Sequence, residues 1–525
     1  MEPEEEQGTT PPTEEAPADA SSAALSAPVA TLPTPGRARR IRPWALVIAG
    51  ALVVVLIATT LIVVHQTANS TNTGTSAASV PSGLSIYGLT QPVAPLGNPL
   101  PFDNARAATA QGDSGSVFAL NAADGRLRWD YKTSDGVEDG QIVANGVLYT
   151  GSSNGSVYAF DAGTGKVLWS VKLLEQSVVG QVVDGVVYAW SSAGAENSQG
   201  NVYALDARSG KQLWQFANGG GVDLVADGTV YVGSAGDPSQ TAGTIYALNA
   251  STGAERWHFQ GQGSLSTQRA ADGQVYVIGL QAVDPSDTNL FGFQATLSVL
   301  DASTGTLRWS YPKQPDGNLS LVDVENGMVY LYITNSSAEA NISDSLVALN
   351  ATDGALRWET GFSLVAFPAG SGTTTSSFLI GGLPPALLSD GAIYVGSQND
   401  PIAAYNASTG APLWSNLQLE SDTGQGLTLD MVADGVVYLD AVGESASLGL
   451  YALDAHTGRL LWKRLGKFLT VGAVVDGVVY AASVDMGPPF TPKADDNSVV
   501  ALDATTGAVR WSYSLGQETA NITVQ

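Results

Sequence analysis

From residue 113 onward one pattern recurs nine times without a slip in register: an apolar run, an Asp or Asn, a Gly four positions later, and a Trp four positions after that. The copies are SVFALNAADGRLRW ending at Trp129, SVYAFDAGTGKVLW at Trp169, NVYALDARSGKQLW at Trp214, TIYALNASTGAERW at Trp257, TLSVLDASTGTLRW at Trp309, SLVALNATDGALRW at Trp358, PIAAYNASTGAPLW at Trp414, GLYALDAHTGRLLW at Trp462 and SVVALDATTGAVRW at Trp511. Their turn glycines are Gly125, Gly165, Gly210, Gly253, Gly305, Gly354, Gly410, Gly458 and Gly507. A supersecondary unit repeated at this period cannot bury its apolar faces alone, so neighbouring units must stack.

Each position has a physical task. The run before the Asx reads as a strand covered on both faces. The Asx side chain accepts backbone N–H bonds in a turn, and the Gly supplies the positive φ that such a turn needs. The Trp falls on the returning strand and is large enough to reach the adjacent unit. Between the Trp motifs lies a second signal: Asx-Gly, one residue, an aliphatic, then Tyr. It occurs eight times, at Asn145–Tyr149, Asp184–Tyr188, Asp227–Tyr231, Asp272–Tyr276, Asn326–Tyr330, Asp390–Tyr394, Asp434–Tyr438 and Asp476–Tyr480. Asx-Gly between apolar runs is the strongest short hairpin signal. Two hairpins per unit make four strands, which is one blade of an all-β β-propeller.

The A-L-D-A-x-T-G-x-x-x-W signature resembles the pyrroloquinoline quinone repeat, shared by quinoprotein alcohol dehydrogenases and by the outer-membrane assembly factor B family. The resemblance covers nearly all of residues 105–525 and implies a propeller of eight blades, the family norm. The literal motif count allows nine, if ANITVQ at the C-terminal end pairs with AATAQ near Ala107 to complete a split blade. Eight is the expectation.

Ahead of the repeats, residues 1–36 are rich in Glu, Pro, Ala and Thr and hold too little apolar surface to fold, so they read as a disordered acidic tail. Residues 37–43 carry Arg37, Arg39, Arg40 and Arg42, and residues 44–64, from Trp44 to Val64, are uncharged and long enough for a transmembrane helix. Basic residues before the span and none just after it place the tail in the cytoplasm and the rest outside, a single pass through the cytoplasmic membrane. A cleaved signal peptide, cut near Thr75–Ser79, is the rival; the long leader favours an uncleaved anchor. Residues 65–104, polar and without periodicity, read as a flexible stalk.

Forty-nine acidic residues face 23 basic ones, for a net charge of −26. Such a surface repels phosphate backbones, so nucleic acid is not an expected partner. The chain has no cysteine, which removes disulfides, thiolate metal sites and lipid attachment at a cysteine.

Chemistry is hard to find. The quinoprotein resemblance implies a cofactor over a Trp floor, commonly under a vicinal disulfide, with calcium held by Glu and Asn and an Asp as base. No family catalytic residue maps onto a matching position, and no catalytic or metal residue is assigned. His65, His258 and His456 make no metal spacing. Trp190 stands outside the repeat positions and reads first as core packing. The loop Asp485–Asp496 and the insertions Ala193–Gly200, Val283–Phe293, Asn335–Asp344 and Pro368–Pro384 read as surface excursions that form a recognition surface only if they share one rim. Asn341–Ser343 and similar sequons matter only in a cell that glycosylates. The expectation is a membrane-anchored extracytoplasmic scaffold with no cofactor, binding protein or glycan partners on a propeller rim. The alternative is a dehydrogenase using pyrroloquinoline quinone with Ca²⁺.

Overall fold

Every Asx-Gly pair turns the chain through a two-residue hairpin in the computed structural model. Asn145 has φ 51° and Gly146 75°, Asp184 has 50° and Gly185 78°, and six further pairs repeat this. Two consecutive residues with positive φ give the turn whose twist matches that of the flanking strands. The structure describes residues 83–92 and 115–525, except 134–135, 138–139, 175, 192–199, 234–241, 283–292, 313–316, 336–342, 364–385, 397–401, 417–418, 420–426, 442–448, 485, 488–490, 493–496 and 517. At Gly185 an added Cβ would meet nothing within 4 Å. Gly185→Ala is therefore expected to cost only the left-handed backbone penalty, about 1–2 kcal/mol, measurable by denaturant unfolding.

The hairpins assemble into nine four-stranded antiparallel blades. Eight follow in chain order at residues 142–172, 177–219, 221–261, 264–312, 317–363, 386–415, 427–465 and 468–516, and are numbered 2 to 9. Their first strands pack on one another from blade to blade and so lie innermost. The fourth strands, which carry the repeat Trp, lie outermost. Blade 1 is split: Glu518–Val524 supplies its innermost strand, and Ser85–Pro92, Ser116–Asn121 and Leu127–Lys132 supply the other three.

This corrects two expectations. The wheel has nine blades rather than the family's usual eight. The C-terminal strand closes it by pairing with Ser85–Pro92, inside the 65–104 stretch read as stalk; the region of Ala107, the expected partner, lies outside the described residues. The polar, Ser- and Gly-rich flanks hid a strand whose Ile86, Tyr87 and Leu89 are all buried. A closed wheel needs this strand because an open one would leave edges unpaired.

Nine apolar clusters fill the nine interfaces. Tyr188, Val202, Trp214, Val230 and Val232 belong to the one between blades 3 and 4, and Ile86, Phe118, Tyr480, Val499 and Val524 to the one between blades 9 and 1. Strand alternation explains the arrangement: odd and even positions of each strand feed the interfaces on opposite sides. Among the described residues no helix is long and apolar enough to cross a membrane. The expected tail, basic segment and span, residues 1–64, lie outside the described residues, as does His65.

Candidate functional site

The residues singled out by the repeat form one continuous ring. Each repeat Trp donates its Nε1–H to the carbonyl of the Ala just after the Asx of the next blade: Trp129 to Ala162, Trp169 to Ala207, Trp214 to Ala250, Trp257 to Ala302, Trp309 to Ala351, Trp358 to Ala407, Trp414 to Ala455, Trp462 to Ala504, and Trp511 to Ala122 across the closure, all at 2.8–3.1 Å. The indoles are buried or half-buried. In several interfaces the hairpin Tyr reaches the same carbonyl, as Tyr149 reaches Ala207 at 3.1 Å and Tyr188 reaches Ala250 at 3.2 Å. The first Ala of the signature lies directly across from the Trp in its own blade, as Ala159 does from Trp169, so that a small residue leaves the indole room.

The turn Gly has a second reason to be Gly. Gly210 has φ +70°, and a Cβ there would come within 2.7 Å of the Trp169 ring. The other eight turn glycines meet the preceding blade's Trp in the same way, from Gly165 against Trp129 round to Gly125 against Trp511. The Asx beside each turn is exposed at its carboxyl or amide end and caps the turn: Asp161 Oδ1 accepts from Thr164 N at 2.8 Å and from Thr164 Oγ1 at 2.6 Å. Those bonds hold Asp161 below the usual carboxylate range; Ser209 does this for Asp206, Thr457 for Asp454, Arg308 for Asp301 and Arg510 for Asp503. With folded-state values depressed, whatever stability these caps add is present above pH ~4 and lost as pH falls through the lower folded values.

The two faces of the wheel differ. Because strands alternate in direction, the turns between first and second strands and between third and fourth strands share one face. All of these are the tight Asx turns. The connections between second and third strands, and between successive blades, open on the other. Ala193–Gly200, Val283–Phe293, Asn335–Asp344 and Asp485–Asp496 join second to third strands, and Pro368–Pro384 joins blade 6 to blade 7. The strand ends that carry all five insertions therefore lie on one face, the condition set for a recognition surface. Most of the inserted residues themselves fall outside the described ones; within Asp485–Asp496, Met486–Gly487 pairs with Thr491–Pro492.

The remaining candidates do not converge. His258 sits on an outer strand with Nδ1 2.7 Å from Glu255 Oε1, while His456 lies in a turn of blade 8, where its backbone N–H caps Asp454. Trp190 packs half-buried into the cluster between blades 3 and 4. Among the described residues no three of His, Cys, Asp or Glu gather to hold a metal. The repeat indoles also do not fit a cofactor floor, since each is committed to the neighbouring blade through its N–H and ring face.

Sequence reasoning missed four buried carboxyls: Asp344, which accepts the Tyr332 hydroxyl at 2.8 Å, and Asp223, Asp430 and Asp440. Asp223 and Asp430 occupy the same β-bulge on the innermost strands of blades 4 and 8. Each accepts a backbone N–H from the next blade, Thr267 N at 2.7 Å and Val471 N at 2.6 Å. Burial pushes both carboxyls up to about 7. Asp440, on the second strand of blade 8, is raised well above its ordinary value by burial and then by Asp430. Aligning the hairpins on their Tyr was the available signal. Two positions past it stand Gly151, Trp190, Gly233, Ile278, Tyr332, Gly396 and Ala482, and only blade 8 puts an acid there.

The family described as outer membrane protein assembly factor BamB matches residues 63–195, 198–364 and 343–525. A polyvinylalcohol dehydrogenase from Sphingopyxis sp. (strain 113P3) is 26% identical over 268 residues, covering 44% of this chain and 38% of the dehydrogenase. The outer membrane protein assembly factor BamB of Yersinia pestis is 28% identical over 230 residues, covering 42% of this chain and 49% of that protein. This chain thus spans half or less of the curated relatives it matches. The crystal structure of BamB from Moraxella catarrhalis aligns with a TM-score of 0.36 at 20% identity, over 62% of this chain and 88% of that one.

Proposed function

The chain belongs to the family described as outer membrane protein assembly factor BamB, and on that premise we propose that it is a non-catalytic scaffold that binds a protein partner through the connection face of its propeller. In this reading the span Trp44–Val64 holds the wheel outside the cytoplasmic membrane. The observation that carries the proposal is the division of labour between faces. The tight-turn face is repeated from blade to blade and is used up in stapling the wheel, whereas the five insertions are free to differ and are anchored on the other, at blades 3, 5, 6 and 9 and between blades 6 and 7. A rigid platform carrying variable segments is how binding residues are commonly displayed. The partner class, a protein assembled at a membrane, follows the printed name of the assembly-factor relatives. The anchor differs from lipid attachment at a cysteine, since the chain has none.

A photo-crosslinking amino acid tests the face. Placed at Asn154, in the short connection of blade 2 on the insertion face, it is expected to capture a protein from the host envelope, with full-length chain in its own membrane. Placed at Thr164, in a tight turn on the opposite face, it is expected to capture none. Capture from Thr164 alone overturns the assignment. The second reading, a quinone-dependent dehydrogenase, draws on the polyvinylalcohol dehydrogenase relative. It predicts a thermal shift and dye-linked alcohol turnover when pyrroloquinoline quinone and Ca²⁺ are added to the purified chain, and the scaffold reading predicts neither.

A further inference from the structure

The interface between blades 8 and 9 contains polar groups that the repeat does not call for. Asp430 and Asp440 are 3% and 1% exposed. Asp430 Oδ2 takes the Val471 amide of blade 9, but Asp430 Oδ1 and both oxygens of Asp440 have no hydrogen-bond partner. Asp440 lies on the same side of its strand as Tyr438, two residues earlier, which packs on Leu469, Val471, Val479 and Ala481 of blade 9. Ser483 faces back into the same interface from blade 9: it pairs with Leu469 and follows Ala481 by two, and its Oγ is likewise buried without a partner. Blade 4 shows what is unusual. There the position of Asp440 is Gly233, and a Cβ on it would lie 2.8 Å from Asp223 Oδ2, so one carboxyl fills a space where blade 8 has two.

Two carboxylates in an apolar interface, with no cation bonded to either among the described residues, cannot both be ionised without a large desolvation cost and mutual repulsion. The other ionisable groups on the packed strands do not relieve them. Tyr438 has a buried hydroxyl and is raised by burial, and Tyr480 hydrogen-bonds to Ala122 across the opposite interface and titrates only at about 12. Lys463 and Arg464 lie on the outer strand of blade 8, and Lys467 precedes the first strand of blade 9. Toward blade 9 the third strand of blade 8 presents Leu450 and Ala452, while Tyr451 of that strand and Tyr394 of blade 7 lie in the interface on the other side of blade 8, each raised by burial.

We propose that Asp430 and Asp440 form a proton-holding latch between blades 8 and 9, closed while the pair is protonated and weakened when it ionises. Asp430 is then free to donate its proton to Asp440 while its other oxygen keeps the Val471 amide. Ordinary Asp in the unfolded chain titrates near 4, so between that pH and neutrality the folded chain binds more protons than the unfolded one. The pair's contribution to stability is full below pH ~4 and falls as pH rises toward the folded values, the folding constant dropping about tenfold per pH unit for each proton so retained.

Thermal unfolding of the full-length chain in detergent tests this. The wild type is expected to lose melting temperature between pH 5.5 and pH 8, and Asp440→Asn to melt higher than wild type at pH 8 with a shallower pH slope. Infrared difference spectra on the folded wild type give a readout that does not depend on the variant folding: a protonated-carboxyl carbonyl band at neutral pH that fades as pH rises and is reduced in Asp430→Asn. An Asp440→Asn variant with an unchanged slope, or wild type without the carbonyl band, overturns the latch. So does a melting temperature that drops with a chelator in wild type but not in Asp440→Asn, which would make the pair a cation site.

Discussion

Deleting residues 518–525 is expected to abolish cooperative unfolding and leave a chain that self-associates. Those residues supply the innermost strand of blade 1, with partners from Ile86↔Val524 to Pro92↔Glu518. The loss includes several ladder hydrogen bonds at about 1 kcal/mol each and burial of Ile522 and Val524, at about 1.5–3 kcal/mol for each fully buried side chain. A total on the order of 5 kcal/mol rivals the whole stability of an ordinary domain. The strand should matter for its position and not for its place in the chain. Gln525 and Ser85 exchange backbone hydrogen bonds at 2.8 and 3.0 Å, the relation that Ala144 and Val147 bear to each other across the Asn145–Gly146 turn. A circular permutant of residues 85–525, with Gln525 joined to Ser85 through Asn-Gly and new ends placed within residues 234–241, is therefore expected to fold as cooperatively as the parent. Calorimetry on both variants decides it: a cooperative deletion variant, or an unfolded permutant, contradicts closure through this strand.

The second large effect concerns one staple. Trp169→Ala removes an indole wedged between blades 2 and 3 together with its bond to Ala207, and is expected to cost about 3–5 kcal/mol. Gly210→Ala forces a Cβ into that ring and keeps a left-handed backbone, so it should cost more than the 1–2 kcal/mol of the unobstructed Gly185→Ala. Because the clash needs the indole, the double variant should fall short of the sum by about 1 kcal/mol or more. Additivity within error would mean that the Gly serves the turn alone.

Most of the wheel was legible because its determinants are local. A Trp four residues past a Gly and an Asx-Gly before a Tyr each specify a hairpin, and hairpins carry their own register. The count of blades was legible too, in a form easy to misread: nine Trp motifs and eight Asx-Gly pairs differ by one because blade 1 has its first and second strands at opposite ends of the described chain, where no turn is needed. Ser85–Pro92 stayed hidden since no tight turn links it to either pairing partner, one of which is more than four hundred residues away, and its flanks look like linker. The buried acids were illegible for a related reason. Asp430 and Asp440 stand in ordinary strand sequence, and only the packing of blade 9 deprives them of water. Which face carries the insertions could be read only once strand direction was known.

The staples all point the same way round. Every blade offers an indole on one flank and a receiving carbonyl on the other, so the contact is head-to-tail, the kind that yields a finite ring when the rotation closes and an endless filament when it does not. The chain avoids the second outcome only because its ninth indole, Trp511, finds Ala122 of its own first blade. Any lesion that springs the seam exposes one donor flank and one acceptor flank made to fit each other, and the nearest match at high concentration is a neighbouring molecule. The uniform geometry that makes the blades interchangeable thus also sets the route by which a sprung ring would polymerise.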